Sequence, residues 1–336
     1  MRLTTLLLIC CCSVLQSQDT FSIIAADPVT GEIGAAGATC VDGIAAFGGI
    51  QLLNKIIPGR GGVNAQAAVC LNPHINLDNA ILQMEGGSSP EEIIAWLIEN
   101  DACFSQNFDP SFRQYGIVDF DGSGNIRTTA FTGENTTDFH GDRTGATYAI
   151  QGNILLGPEV LDGMEDGFNN TDGTLAQRLM AAMQGANFAG ADSRCLNRGT
   201  SSTSSFLRVV RPTDDPAAPY LELNVLETPF GVEPIDSLQV LFDEWELLNN
   251  LTDIDLEAAI EVYPNPSNGT YNLSLPQDLD VHSLTITNTA GQQVWQLDTM
   301  ADWSNTIDLT AAPSGLYWLS IRLSAGQLVT RKLVKF

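Results

Sequence analysis

The chain has 336 residues, 44% hydrophobic and 16% charged, which provides apolar material for one large domain or two and argues against general disorder. Its 40 acidic against 15 basic side chains give a formal net charge of −25. That field repels phosphate backbones and anionic headgroups, so no nucleic-acid partner is expected.

Residues 1–17 open with Arg2, pass through the apolar run Leu6, Leu7, Leu8, Ile9, Cys10, Cys11 and Cys12, and end in the more polar Ser13 to Ser17. This is the layout of a secretory signal peptide, with cleavage expected between Ser17 and Gln18. The run falls short of the roughly 20 apolar residues a helical span requires. No later segment is long and apolar enough either, so no integral membrane segment is expected. Export leaves Cys40, Cys70, Cys103 and Cys195, an even set that implies two disulfides in any of three pairings. With three widely spaced histidines and no CxxC, no metal site is expected, and nothing in the sequence calls for a cofactor.

From Thr20 to about Leu226 strand and helix signals alternate. Phe21 to Ala26 and Glu32 to Thr39 are apolar, small-residue runs joined by "DPVTG", whose Asp-Pro and Gly chemistry predicts a hairpin. Gly62 to Val69 reads as a third strand, and Leu77 to Met84 as a helix. A firmer helix spans Pro90 to Glu99: Ser89 caps it, Pro90 suits its first position, Glu92 completes a capping box, and Ile93, Ile94, Leu97 and Ile98 form one apolar face.

"RQYGIVDFDGSGNIRTTAFTG" predicts a hairpin around Gly122 and Gly124. Its "DFDGSGN" resembles the opening of a calcium loop, but Ala130 occupies the twelfth position, where a bidentate Glu belongs, so a plain turn is expected. Glu159 to Phe168 and Leu175 to Met183 read as amphipathic helices. "SSFLRVVRP" and "YLELNVL" read as closing strands, and the serine-rich "GTSSTSSF" lacks a GxSxG elbow. Glu233 to Asn249 is a last amphipathic helix, and the acidic, thinly apolar stretch 250–259 reads as a linker. From Ile260 onward, short alternating strands and Asn-Gly, Ala-Gly and Ser-Gly turns predict a small β-sandwich.

The segment 260–336, with "VYPNPSNGTYNLSLP", "TNTAGQQV" and "GLYWLSIRLSAGQLVTRKLVKF", resembles the type A C-terminal sorting domain of the type IX secretion system. The resemblance implies a small immunoglobulin-like sandwich, the type IX machinery as partner, a Gram-negative host, and a place in the medium or at the cell surface. The segment 18–249 resembles the domain of unknown function family 1028. The residues that carry the likeness are "TFSIIAADPVTGEIGAAGAT", "GGVNAQAAVCLNP", "RQYGIVDFDGSGN", "FTG", "YAIQGNILLGPEVLDGM" and "GADSR".

That resemblance implies an α+β fold of the N-terminal nucleophile (Ntn) hydrolase kind, a four-layer αββα sandwich. In active members of such a superfamily the first residue attacks an amide carbonyl, and its own α-amine, with a pKa of about 8, serves as base. Thr20 matches the nucleophile, on a small amide or peptide-like substrate. Gln66, Asn72, Gln151, Asn153, Asp192 and Arg194 match polar positions that would bind substrate or an oxyanion. Cys40 and Cys195 lie beside matched segments, where a disulfide would brace the cleft. Cleavage after Ser17, however, leaves Gln18 and Asp19 ahead of Thr20. Either a second trimming step frees Thr20, or the domain is a non-catalytic exported binding protein that keeps the fold.

Overall fold

A computed structural model describes residues 20–336 except 72, 277, 278, 280, 298–302, 304 and 324–327, and it leaves the side chains of 248–259 aside. The expected signal peptide, Gln18, Asp19 and Asn72 therefore lie outside the described residues. The chain forms two compact units that divide between Phe242 and Asp243.

The first unit begins with β1 (Thr20–Ala26) and β2 (Ile33–Thr39), both fully buried. The turn between them forms because Asp27 Oδ1 accepts from the backbone N–H of Val29 at 2.7 Å and of Thr30 at 3.1 Å. Gly31 supplies the left-handed backbone at φ 73°. Next come β3 (Asn54–Ile57), β4 (Gly61–Ala67), α1 (Ile75–Glu85) and α2 (Pro90–Glu99). In α2 the expected capping box is present: Ser89 Oγ accepts from Glu92 N, and Glu92 Oε2 accepts from Ser89 N. The chain continues through β5 (Arg113–Phe120), β6 (Ile126–Thr132), β7 (Gly141–Thr144), β8 (Tyr148–Gly152), α3 (Glu159–Asn170), α4 (Leu175–Gly185), β9 (Ser204–Val210) and β10 (Leu221–Val225).

These strands make two antiparallel sheets, ordered β10-β9-β2-β1-β8-β7 and β3-β4-β5-β6. Helices α1 and α2 cover the four-stranded sheet, burying Leu77, Met84, Ile93 and Leu97 against Val63, Ala65, Tyr115 and Ile117. The opposite face of that sheet packs on the six-stranded one, with Val118 among Ile24, Ile33, Ala35, Ala149 and Phe206. Helices α3 and α4 lie on the six-stranded sheet's far side, against β8 and against β1, β2 and β9. The layers thus run helix, sheet, sheet, helix. The small residues of "IGAAGAT" permit this closeness: a Cβ on Gly34 would stand 2.6 Å from Leu179 Cδ1 of α4.

Three of these strands, β3, β7 and β8, have no counterpart in the sequence reading. Their sequences, "NKII", "GDRT" and "YAIQG", lack the apolar–polar alternation that marks the equally short "LELNV" of β10. The stretch 250–259, expected as a linker, is helical, since α5 runs from Pro234 to Ala259. Between Ile235 and Tyr263 the sequence has neither Gly nor Pro, so nothing local stops the helix.

The second unit is a sandwich of a three-stranded sheet, β11 (Glu261–Tyr263), β12 (Thr270–Ser274) and β15 (Thr306–Asp308), and a four-stranded one. The latter has β14 (Gln293–Leu297), β13 (Val281–Asn288), β16 (Gly315–Leu323) and β17 (Leu328–Lys335) in that order. Tyr271, Leu273 and Ile307 of the first meet Leu284, Ile286, Leu319, Ile321 and Leu333 of the second in one core.

Candidate functional site

Thr20 stands at the head of β1, in the middle of the six-stranded sheet. Across β2 it faces Thr39, which in turn faces Ser204 of β9. On its other side β8 ends at Gly152, opposite Phe21. The beginnings of β1 and β9 and the ends of β2 and β8 therefore meet at one edge of the sheet.

Asn153, just past β8, grips Thr20 from both sides. Its Oδ1 accepts from Thr20 N at 2.9 Å, and its own backbone N–H donates to Thr20 O at 3.1 Å. Gln66 Nε2, from the facing sheet, also donates to Thr20 O at 2.9 Å. Ser22, two residues along the same face, is the hub of a wider polar network. Its Oγ donates to Gln66 Oε1 at 2.6 Å and accepts from Asn64 Nδ2 at 3.1 Å and from Gln151 Nε2. Gln114 accepts from Gln66 Nε2 at 2.8 Å and donates to Gly152 O at 2.9 Å. All of these residues are buried, and Thr20 itself has no exposed surface.

Asp192 and Arg194 sit one step away. Asp192 is fully buried; its carboxylate accepts from Cys40 N at 2.9 Å, next to the Thr39 that faces Thr20, and from Arg194 Nη2 at 2.6 Å. A Cys40–Cys195 disulfide, with Cα atoms 5.8 Å apart, ties the end of β2 to the turn carrying Arg194. The other pair is Cys70–Cys103, with Cα atoms 5.5 Å apart.

Gln66, Gln151 and Asn153 thus come together around Thr20 and Ser22, while Asp192 and Arg194 engage each other and the end of β2. Ser22, Asn64 and Gln114 complete the network without having been singled out. A signal for Asn64 was present, since it alternates with Gln66 in "GGVNAQA" within an otherwise apolar, glycine-rich strand. Among the buried polar atoms, Asn153 Nδ2 and Gln151 Oε1 have no hydrogen-bond partner.

The neighbouring motifs take structural roles. In "DFDGSGN", Asn125 Nδ2 donates to Asp121 Oδ2 at 3.0 Å, and Asp121 Oδ1 accepts from Asn125 N at 2.9 Å and Ser123 N at 2.8 Å; together these bonds close the turn and hold the Asp121 carboxyl below the usual range. The buried Asp119 is paired with Arg60 at 2.7 Å and Arg127 at 2.6 Å. In the serine-rich stretch Glu233 holds Ser201 through its backbone N–H and its hydroxyl. Among the described residues, no group of three or more His, Cys, Asp or Glu side chains is placed to hold a metal ion. Among them also, no helix is long and apolar enough to cross a membrane.

Residues 20–236 match the model of a family of unknown function, DUF1028. The chain belongs to that family. A crystal structure of a DUF1028 protein from Silicibacter pomeroyi is similar to it at 25% identity and a TM-score of 0.51, covering 67% of this chain and 88% of the other. No curated protein matches the chain. Residues 261–335 match a secretion system C-terminal sorting domain. This DUF1028 chain therefore carries a type IX sorting tail, which supports secretion or cell-surface localisation and implies contact with the type IX machinery.

Proposed function

We propose that the mature protein is an exported Ntn-type amide hydrolase in which Thr20 is the nucleophile. Its signal peptide is residues 1–17, its hydrolase domain 18–249 and its sorting domain 260–336, in a Gram-negative host. The observation that carries this reading is the grip of Asn153. Its carboxamide oxygen holds the nitrogen of Thr20 at 2.9 Å while its Nδ2 keeps unused donor capacity beside the same residue. Hydrolysis of the Asp19–Thr20 bond converts that nitrogen from an amide to an α-amine. The amine takes the Oγ1 proton as the oxygen attacks a substrate carbonyl, and passes it to the leaving amine. Water then hydrolyses the resulting ester. A spare carboxamide N–H suits the oxyanion that forms on the way.

Thr20 is wholly buried in the intact chain, so this activity requires processing that opens the head of β1. The same burial favours a second reading, an exported binding protein that keeps the fold without chemistry. Terminal sequencing of the exported protein separates the two. A chain beginning at Thr20, with amide hydrolysis that Thr20→Ala abolishes, supports the hydrolase. A chain beginning at Gln18 or Asp19 refutes it.

A further inference from the structure

The four-stranded sheet of the second unit has two distinct faces, because neighbouring side chains along a strand point to opposite sides. Tyr317, Leu319 and Ile321 of β16 and Val329 and Leu333 of β17 are buried in the core. The residues that alternate with them form the outer face: Leu316, Trp318 and Arg322 from β16, and Leu328, Thr330 and Lys332 from β17, all exposed. The register sets Trp318 directly opposite Lys332, and Arg322 opposite Leu328.

Two features mark this face as an interface. The first is charge. Every Lys and Arg of the second unit lies in β16 or β17, and the four strands of the sheet hold no Asp or Glu, in a chain with 40 acidic and 15 basic residues. Two of these cations are spent inside the unit: Lys335 Nζ donates to Thr310 O at 3.0 Å and to Ala312 O, and Arg331 Nε donates to Ile260 O at 3.2 Å. Arg322 and Lys332 are exposed, and among the described residues neither has an ion pair. The second feature is apolar area. Trp318 is 42% exposed, Leu316 41% and Leu328 56%, where the solvated face of an antiparallel sheet ordinarily presents polar side chains. Trp and Arg are also the side chains that most often anchor protein–protein contacts.

We propose that the outer face of this sheet, centred on Trp318 and carrying Arg322 and Lys332, is the surface by which the sorting domain docks on the type IX machinery, and that the protein it meets there presents carboxylates around an apolar recess. The match to a sorting domain implies the machinery as partner without assigning a face, and the segregation of charge assigns it. Seating Trp318 in a recess excludes water from the cation–carboxylate pairs beside it, so that they contribute more than exposed ion pairs do. The inference does not depend on any chemistry at Thr20.

The test is export of the full chain from cells with a type IX system, read as the ratio of protein outside the cell to protein held in the periplasm. Arg322→Glu combined with Lys332→Glu should lower that ratio about tenfold or more, since an acidic partner repels the new charges. Trp318→Ser should lower it as well, while Glu261→Lys, on the three-stranded sheet, should leave it unchanged. A photo-crosslinking residue at Thr330 of the otherwise unaltered chain gives the same information should the charge-reversed chain fail to fold. It should join to a protein of the type IX machinery, and one at Asn272 of the three-stranded sheet should not. Undiminished export of the charge-reversed chain or of Trp318→Ser, an equal loss in Glu261→Lys, equal crosslinking from both positions, or adducts from Thr330 to lipid or to a second copy of this chain instead overturns the proposal.

Discussion

Lowering the pH from 7 to 5 should destabilise the first unit by about 2 kcal/mol through His74 alone. Burial pushes this imidazole down from 6.5 to about 4, opposed by its bond to Ala65 O and by Asp78, with Lys55 adding slightly to the depression. The native pKa lies below the unfolded one, so between them the unfolded chain binds a proton that the native chain refuses. Stability from this group is full above about pH 6.5 and is lost as pH falls toward 4. Carried down to pH 4 the loss would approach about 3 kcal/mol, at 1.36 kcal/mol per unit. Stopping at pH 5 keeps most carboxylates ionised.

The assay is urea unfolding followed by circular dichroism in the helical band, which reports α1 to α4 together with α5, while the described strands of the sandwich contribute little there. His74→Gln is the control, since a carboxamide donates to Ala65 O yet does not titrate. The parent should lose about 2 kcal/mol more than the variant between pH 7 and 5. Equal losses would refute the assignment of a buried neutral imidazole.

Further consequences concern packing within the first unit. Arg113 is 1% exposed and donates to Asp101 at 2.7 Å and to the carbonyls of Cys103 at 3.0 Å and Ser105 at 2.6 Å. Arg113→Met strands the Asp101 carboxylate and should cost about 3 to 5 kcal/mol in urea unfolding; a loss below about 1 would contradict the pairing. The Cys70–Cys103 disulfide closes a loop with a sequence separation of 33. Replacing both cysteines with serine should lower stability by up to about 4 kcal/mol on the chain-entropy estimate, and the reduced parent, which also loses Cys40–Cys195, should be less stable than the variant. A Cβ on Gly116 would overlap Gln151 Oε1. Gly116→Ala should therefore dislodge Gln151 from Ser22, which hydrogen exchange at the amides of β8 would register as faster; unchanged exchange there would show that the network tolerates the shift.

Local chemistry explains which parts were legible in the sequence. "DPVTG" sets the first hairpin, and the Ser89–Glu92 box sets the start of α2, because in each the decisive hydrogen bonds span at most three residues. The candidate site was legible as residues but not as a connected network. Gln151 reaches Ser22 across 129 residues, through a strand, "YAIQG", without the alternation that would announce it. The cavity of about 500 Å³ bordered by Gln51, Asn54 and His74 left still less trace. Gln51, Asn54 and His74 lie on a short helical turn, a four-residue strand and a helix cap, and no shared period relates them.

Hydrogen-bond accounting narrows which groups in the network can act on a ligand. Ser22 Oγ gives its proton to Gln66 and accepts from both Asn64 and Gln151, so it has no capacity left and serves as a structural hub. Gln66 is spent on Thr20 O, Gln114 and Ser22. Of the two atoms without partners, Gln151 Oε1 lies against the backbone of Gly116, where a ligand would have to displace the facing strand. Asn153 Nδ2 is the remaining unsatisfied polar atom, and its carboxamide already holds the nitrogen of Thr20. On the proposed reading, Thr20 and Asn153 are the members of this network left to act on a ligand. Asn153→Asp then separates positioning from folding: a carboxylate still accepts from the Thr20 nitrogen but has no N–H for an oxyanion. In the processed protein it should lower kcat for amide hydrolysis while terminal processing is retained, and an unaltered kcat would remove Asn153 from the mechanism.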